Sequence, residues 1–326
     1  MFSHYTLAEG ALKPCGPAEA LITLVAEPSE PEKQVLVAAH GFTPHDLESA
    51  LDSEEIARAE LRPDGAFVVW KRPDNVSFQQ QLKFDVSSVG FRLKDGRLTV
   101  VLGEKTMELG AAEFQGVASV TEFVLHFFLH TVHHFLGHLR ATKLLTSEIQ
   151  AKLNHSQGNL YLLQMISLGE SFAYYINALE GNAAVLAKLQ GLAEKLHLGR
   201  PELELLEDIG IENHQCLRQT EVTSSVLSGL MDARSSIINN NVNVLLKKLT
   251  LINVVFLPLN LIAGIGGMSE YSMMTQGLAW PWAYSALLLV MIASGLTTWW
   301  LITRSSHAWG GRAERRVRPK KLSRGN

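Results

Sequence analysis

Three asparagines and a threonine in the last third of the chain place polar groups within and just before an apolar stretch. Leu249–Met268 carries no charged residue, and at about 1.5 Å per residue its twenty positions reach roughly 30 Å, the thickness of a bilayer's hydrocarbon core. Steps of three and four residues from position 243 onward mark a single stripe along a helix. The stripe consists of Asn243, Leu246, Thr250, Asn253, Leu257, Asn260 and Gly264.

The chemistry of this stripe allows two interpretations. In a pore wall, rings of amides would alternate with rings of leucine; the amides offer neutral oxygen acceptors to a hydrated cation, and leucine rings can gate by dewetting. In a helix–helix interface, the asparagines would hydrogen-bond across a dimer instead. A pore needs about four or more copies of the helix, because a single span encloses nothing.

A second set of residues with possible chemistry is a histidine cluster. Histidines recur at every fourth position, with His133 beside them, and this spacing can place two imidazoles on one metal ion such as zinc. The alternatives are a histidine-rich helix surface or interhelical contact, and a pH-responsive interface. The absence of interleaved Cys or Asp disfavours the metal site. The candidate ligands are His126, His130, His134 and His138.

Residues 1–116 are expected to form a small α/β domain in an α+β protein. Asp95-Gly96 predicts a hairpin, Asp64-Gly65 a turn, and Thr43-Pro44 the start of a helix over HDLESALDSEEIARAEL. The sequence shows no phosphate loop, nucleotide fingerprint or nucleophile elbow, so we expect a scaffold or sensor and not an enzyme. The predicted strands are Ala20–Ala26, Gln34–Ala39, Ala66–Trp70, Val86–Leu93 and Leu98–Leu102.

The remainder of the chain is predicted to be helical. An antiparallel helical pair, Val117–Leu153 and Gln157–Leu198, is interrupted at Asn154-His155-Ser156, and Pro201 starts a long stalk helix over 201–248. Residues 249–268 then form the first transmembrane helix and 269–279 an external loop. Residues 280–303 form the second transmembrane helix, which has tryptophans at both ends. Residues 304–326 are a basic tail with eight Lys or Arg and one acid.

Charge and composition indicate the topology. A mean hydropathy of +0.09 fits two spans attached to a polar body. With two spans, Lys247-Lys248 and the basic tail lie on the inner side, so both termini are predicted to be cytoplasmic in a multi-pass inner-membrane protein. The N-terminus lacks the apolar core of a signal peptide, and Cys15 and Cys216 form no disulfide framework. The tail is expected to contact anionic lipids and not nucleic acid.

The stretch from Asn243 to Ser269 resembles the first membrane helix of the CorA-type divalent cation channels. Lys247, Leu249-Thr250, Phe256-Leu257-Pro258-Leu259, Ile262-Ala263-Gly264-Ile265 and Gly267-Met268 follow the family's order without a gap. The resemblance implies a CorA-like homopentamer whose first span lines the pore. It also implies divalent cations as transported or regulatory ions, Mg²⁺ by default and Zn²⁺ second, with no covalent cofactor.

The chain departs from the family at the predicted pore mouth, Gly267, Met268, Ser269 and Glu270. The family's signature there is Tyr-Gly-Met-Asn, whereas this chain has Gly266-Gly267-Met268-Ser269, and its external loop has a single acid. A shorter hydroxyl gives a wider ring, and fewer acids attract fewer cations. The alternative function is therefore a non-conducting or poorly selective CorA-like membrane protein that acts as a sensor or partner-binding module. Relatives without the asparagine include the CmaX-type branch.

Overall fold

The computed structural model describes residues 2–8, 10–74, 84–103, 114–153, 160–277 and 279–314. The chain divides into two compact units, Met1–Asp232 and Ala233–Asn326. The first unit is a body of α+β class, and the second carries the apolar helices.

The body contains a seven-stranded mixed sheet with the strand order β2-β1-β3-β7-β6-β5-β4. Neighbouring strands pair antiparallel, except that β3 and β7 pair in parallel. The strands are β1 (Phe2–Ala8), β2 (Ala11–Pro14), β3 (Ile22–Ala26), β4 (Arg58–Arg62), β5 (Gly65–Pro73), β6 (Val86–Lys94) and β7 (Arg97–Leu102).

Helices cover both faces of this sheet. Because alternate residues of a strand point to opposite faces, Phe67 and Val69 join one apolar cluster while Val68 and Trp70 join the other. The first cluster contains residues of α1 (Glu30–His40) and α2 (Pro44–Leu51). The larger one contains residues of α3 (Val120–Leu153), α4 (Leu160–Gly191) and α5 (Arg200–Gly266), and in it Trp70 stacks on Phe128 with the ring centroids 3.9 Å apart.

Both predicted turns of the sheet are confirmed. Asp95 and Gly96 adopt positive φ angles of 50° and 76° between β6 and β7, as a tight hairpin requires. Gly65 begins β5 with φ 144°, and a Cβ there would overlap the carbonyl oxygen of Leu93. Only glycine fits this position.

The strand predicted over Gln34–Ala39 is wrong, because these residues lie in α1. Ser29 and Glu32 form a capping box in which the Ser29 backbone N–H donates to Glu32 Oε2 over 2.8 Å. Gly41 ends the helix in the left-handed conformation. The apolar run is too short for its periodicity to separate strand from helix, and the caps decide the outcome.

The next helix starts as predicted but is shorter. Thr43 caps α2 by accepting from the Asp46 backbone N–H over 3.1 Å. The helix ends at Leu51, residues 52–57 form a connection, and the last four residues of the predicted helix instead belong to the edge strand β4. Strands β1 and β2 were not predicted; their residues become strands by pairing with each other and, for β1, with β3.

The helical part of the body differs from the prediction at its ends. α3 begins at Val120 and α4 ends at Gly191, so residues 192–198 are a connection and not helix. The predicted break at Asn154-His155-Ser156 lies outside the described residues. α4 is joined to β5 by Asn182, whose amide accepts from the Lys71 backbone N–H over 2.9 Å and donates to the Lys71 carbonyl over 2.8 Å.

The second unit contains the last part of α5, the short helix α6 (Ser269–Met274) and α7 (Trp280–Glu314). α5 is 67 residues long and continues through Pro258. Residues 304–314, predicted as tail, belong to α7, and residues 315–326 lie outside the described part of the chain. Within the described residues two helices, α5 and α7, are long and apolar enough to cross a membrane.

Candidate functional site

The predicted polar stripe lies on an exposed face of α5. Leu246 and Leu257 are 54% and 70% exposed, and the polar members of the stripe are exposed as well. Exposure continues over six turns of helix without interruption. The exposed members are Asn243, Leu246, Thr250, Asn253, Leu257, Asn260 and Gly264.

The opposite face of the same segment packs against α7. A helix turns by about 100° per residue, which puts Leu251, Val255, Ile262 and Gly266 roughly across the helix from the stripe. The first three of these residues are half-buried, and Gly266 is buried. The second span therefore occupies the face of α5 that the stripe leaves free.

Two glycines lie where α5 and α7 contact each other. A Cβ on Gly266 would overlap Cδ2 of Leu287, so this position favours glycine, whereas a Cβ on Gly295 would lie 3.6 Å from Leu259, which is an ordinary van der Waals contact. Small residues at membrane-helix interfaces let the backbones approach closely. The sequence analysis did not single out these glycines, although small residues within apolar spans were a signal that could have identified them.

Thr250 and Pro258 modify the hydrogen bonding along α5. The Thr250 hydroxyl donates to the Leu246 carbonyl over 2.8 Å, so its oxygen still has acceptor capacity on the stripe. Pro258 has no N–H, which leaves the Val254 carbonyl without its helical donor. Backbone oxygen thus becomes available one turn before Pro258.

The predicted pore mouth comprises the turn between α5 and α6, at Gly267 and Met268, and the first two residues of α6. The Gly267 N–H donates to Ala263 O over 3.0 Å, and Met268 is the N-cap residue of α6. The Ser269 hydroxyl lies 3.2 Å from Oε2 of Glu270, and both residues are exposed. The Ser269 hydroxyl thus contacts the carboxylate of the next residue.

The predicted histidine cluster lies on α3 in the body, and its last member is buried. His138 Nδ1 is 2.6 Å from the Tyr175 hydroxyl of α4, and its ring packs against Phe84. Burial, with a smaller effect from His134, lowers the pKa of His138 to about 4. Burial also lowers the pKa of His134 and raises that of Tyr175. Both imidazoles are therefore neutral at pH 7.

The remaining histidines point to different partners. His126 Nε2 lies 3.9 Å from Glu122, and His133 Nε2 lies 2.8 Å from Glu212 of α5. The ring centroids of His130 and His134 are 6.5 Å apart, and those of His134 and His138 are 4.4 Å apart. Among the described residues, no three His, Cys, Asp or Glu side chains are grouped to hold a metal ion. The arrangement favours the interhelical contact over the zinc site.

An α+β body followed by two long apolar C-terminal helices is the architecture of a membrane protein with two C-terminal spans. A family model described as "CorA-like Mg2+ transporter protein" matches residues 23–304. The chain therefore belongs to the CorA family of membrane metal-ion transporters.

Similar proteins agree with this assignment. The cobalt/magnesium transport protein CorA of Methanocaldococcus jannaschii is 22% identical over 279 residues, which are 82% of this chain and 85% of that protein. The complete structure of the CorA magnesium transporter from the same organism has a TM-score of 0.76 at 18% identity, covering 94% of this chain and 98% of that one. The full-length CmaX structure has a TM-score of 0.66 at 15% identity, covering 93% and 97% of the two chains. At these identities the solved structures show a shared fold.

Proposed function

We propose that the chain assembles as a homopentamer and passes divalent cations through a pore lined by the stripe of α5. The observation that carries this proposal is the asymmetry of α5. Its amide-bearing stripe is exposed, while the opposite face packs on α7. An asparagine amide facing lipid would lack hydrogen-bond partners, so the stripe is best satisfied by water, ions or other copies of the chain.

The donor set suits a hydrated hard cation. Asn243, Asn253 and Asn260 offer neutral oxygens at three levels of the stripe, with leucines between them. Glu270 adds one carboxylate per copy near the pore mouth, and carboxylate and carbonyl oxygens are ligands that Mg²⁺ prefers. Mg²⁺ is the first candidate and Zn²⁺ the second. Flux needs no covalent cofactor, because the membrane potential favours cation entry by about 2.3 kcal/mol per charge per 100 mV.

The proposed orientation follows from the charges that flank the spans. Lys247 and Lys248 precede the apolar part of α5, and Arg304 follows the apolar part of α7. With these cations inside, both termini lie in the cytoplasm and α6 lies outside. We propose that the protein lies in the inner membrane, with the basic tail against anionic lipids.

A second function has one specific observation in its favour. Serine at position 269 supplies no amide to the mouth. Its hydroxyl contacts Glu270 and so occupies part of the acceptor capacity of that carboxylate. In that case the pentamer would be a membrane sensor or partner-binding protein that passes ions poorly. The two functions differ in how well the native protein conducts divalent cations.

Ion flux into proteoliposomes tests the proposal. We expect dye-detected uptake of Mg²⁺, Zn²⁺ or Ni²⁺, and we expect Asn260→Leu to lower it about tenfold, equivalent to about 1.4 kcal/mol. The matched control is Thr297→Leu on α7, where the hydroxyl bonds to its own helix at Ala293 O over 2.8 Å. Equal flux from native protein and Asn260→Leu would contradict the pore lining.

The variant Ser269→Asn separates the two functions. If the native protein shows no ion flux and this variant does, the chain has kept the pore but its mouth no longer supports conduction, and the sensor function is favoured. If both are silent in well-assembled protein, the transport proposal is wrong.

A further inference from the structure

A tyrosine attaches the connection between α5 and α7 to the first turn of α7. Tyr271 lies in α6, and its hydroxyl donates to the carbonyl oxygen of Ala283 over 3.0 Å. The backbone hydrogen bonds of Gly267 and Met268 reach only three or four residues back. The Tyr271 bond joins residues 12 positions apart, across the turn from α6 to α7.

Packing accompanies this hydrogen bond. The rings of Tyr271 and Tyr284 meet edge to face, with centroids 6.2 Å apart and an interplanar angle of 74°. Ala283 is only 6% exposed, whereas its neighbours Trp282 and Tyr284 are 75% and 49% exposed. The connection therefore covers the α7 backbone at the point where the hydroxyl binds.

The chemistry of the contact explains why it needs a phenol. The Ala283 carbonyl lies in the first turn of α7, and a carbonyl oxygen has two lone pairs, so it accepts from Tyr271 in addition to its helical donor. Phenylalanine keeps the ring contact with Tyr284 but has no donor. Thr275 reinforces the same turn, because its hydroxyl donates to the Tyr271 carbonyl over 2.9 Å.

We infer that Tyr271 is a positioning residue for the pore mouth. It lies two positions after Ser269 on the same short helix, so anchoring its hydroxyl to α7 anchors Ser269 and Glu270 as well. Without that anchor, α6 separates from α7 more often and the mouth groups lose their fixed positions. The ion-handling part of this inference depends on the proposed function, whereas the anchoring part does not.

Hydrogen exchange on the full-length protein in nanodiscs tests the anchor. We expect Tyr271→Phe to speed exchange of the α6 amides about two- to tenfold, as the loss of one hydrogen bond predicts. Tyr284→Phe is the matched control, since it removes a hydroxyl from the same aromatic pair and no hydrogen bond of that hydroxyl is found among the described residues. Unchanged α6 exchange in Tyr271→Phe, or the same increase in both variants, overturns the anchor.

Ion flux tests the positioning role. We expect Tyr271→Phe to raise the half-saturating Mg²⁺ concentration about two- to tenfold while maximal flux stays near that of native protein. A fall in maximal flux with no change in half-saturation would indicate a structural role only, and overturn the positioning role. If native protein conducts nothing, the proposed function fails, yet the exchange experiment still decides whether the anchor exists.

Discussion

The same residue types are buried in the body and exposed in the membrane-spanning helices. In the body, large apolar side chains such as Trp70 and Phe128 are completely buried and stacked. In the most apolar windows of α5 and α7, only 6% and 0% of the residues are buried. Asparagines differ as well, since Asn182 is buried with both amide atoms bonded, while Asn253 and Asn260 are exposed.

This difference shows that a single chain buries the core of the body but leaves one face of α5 without packing partners. The body buries its largest apolar side chains internally and pairs both amide atoms of the buried Asn182, as an aqueous environment favours. The spans have one packed face, and the other face of α5 is exposed. Exposed amides on a membrane helix need water, ions or other copies of the chain as hydrogen-bond partners, and this need is the physical basis for proposing a pentameric pore.

The largest expected effect compares one residue type in the two regions. Trp70→Ala should destabilise the body by about 3–5 kcal/mol, because it removes a fully buried ring stacked on Phe128. Trp282→Ala, at a 75% exposed site of α7, should change the body's stability by less than about 0.5 kcal/mol. Hydrogen exchange of the β5 and β6 amides measures both. Similar losses in the two variants would remove the distinction between the regions.

The next effect compares two asparagines. Asn182→Ala should cost the body about 2–4 kcal/mol, since it leaves the buried N–H and carbonyl of Lys71 without their partner. Asn260→Ala should leave sheet exchange unchanged and reduce ion flux instead. The two measurements are made on the same preparations, and a destabilised sheet in Asn260→Ala would show that the stripe serves the fold.

The smallest effect concerns pH. Because burial lowers the pKa of His138 from 6.5 to about 4, the unfolded chain binds a proton between these values while the folded body does not. Stability is therefore complete above about pH 6.5 and falls as pH decreases towards 4, by about 1–2 kcal/mol between pH 7 and pH 5.

Urea unfolding of the body at the two pH values measures this loss. His138→Gln should weaken the dependence, because glutamine does not titrate, while the lowered pKa of His134 leaves a remainder of the same sign. His214→Gln at an exposed position of α5 should leave the dependence intact. A dependence that persists unchanged in His138→Gln would assign it to another group.

Much of the fold was accessible from local sequence. Asp95-Gly96 and Asp64-Gly65 identified turns because their backbone angles depend on the residue itself. Thr43 and Pro44 identified the start of α2 for a similar reason. The strand prediction over Gln34–Ala39 failed because a short apolar run fits either a strand or a helix. The capping box of Ser29 and Glu32 stabilises the start of a helix there.

The spacing of the stripe, the charge-free run Leu249–Met268 and the family resemblance were all determined by the sequence alone, because helical periodicity relates the spacing of residues to the side of the helix on which they lie. Tertiary structure decided which face of α5 contacts α7, through Gly266 and Leu287, and which face remains exposed. It also decided that His138 bonds Tyr175 and that Tyr271 reaches Ala283. These contacts join residues that local patterns cannot relate, since distance along the chain says nothing about which side chains meet across two packed helices.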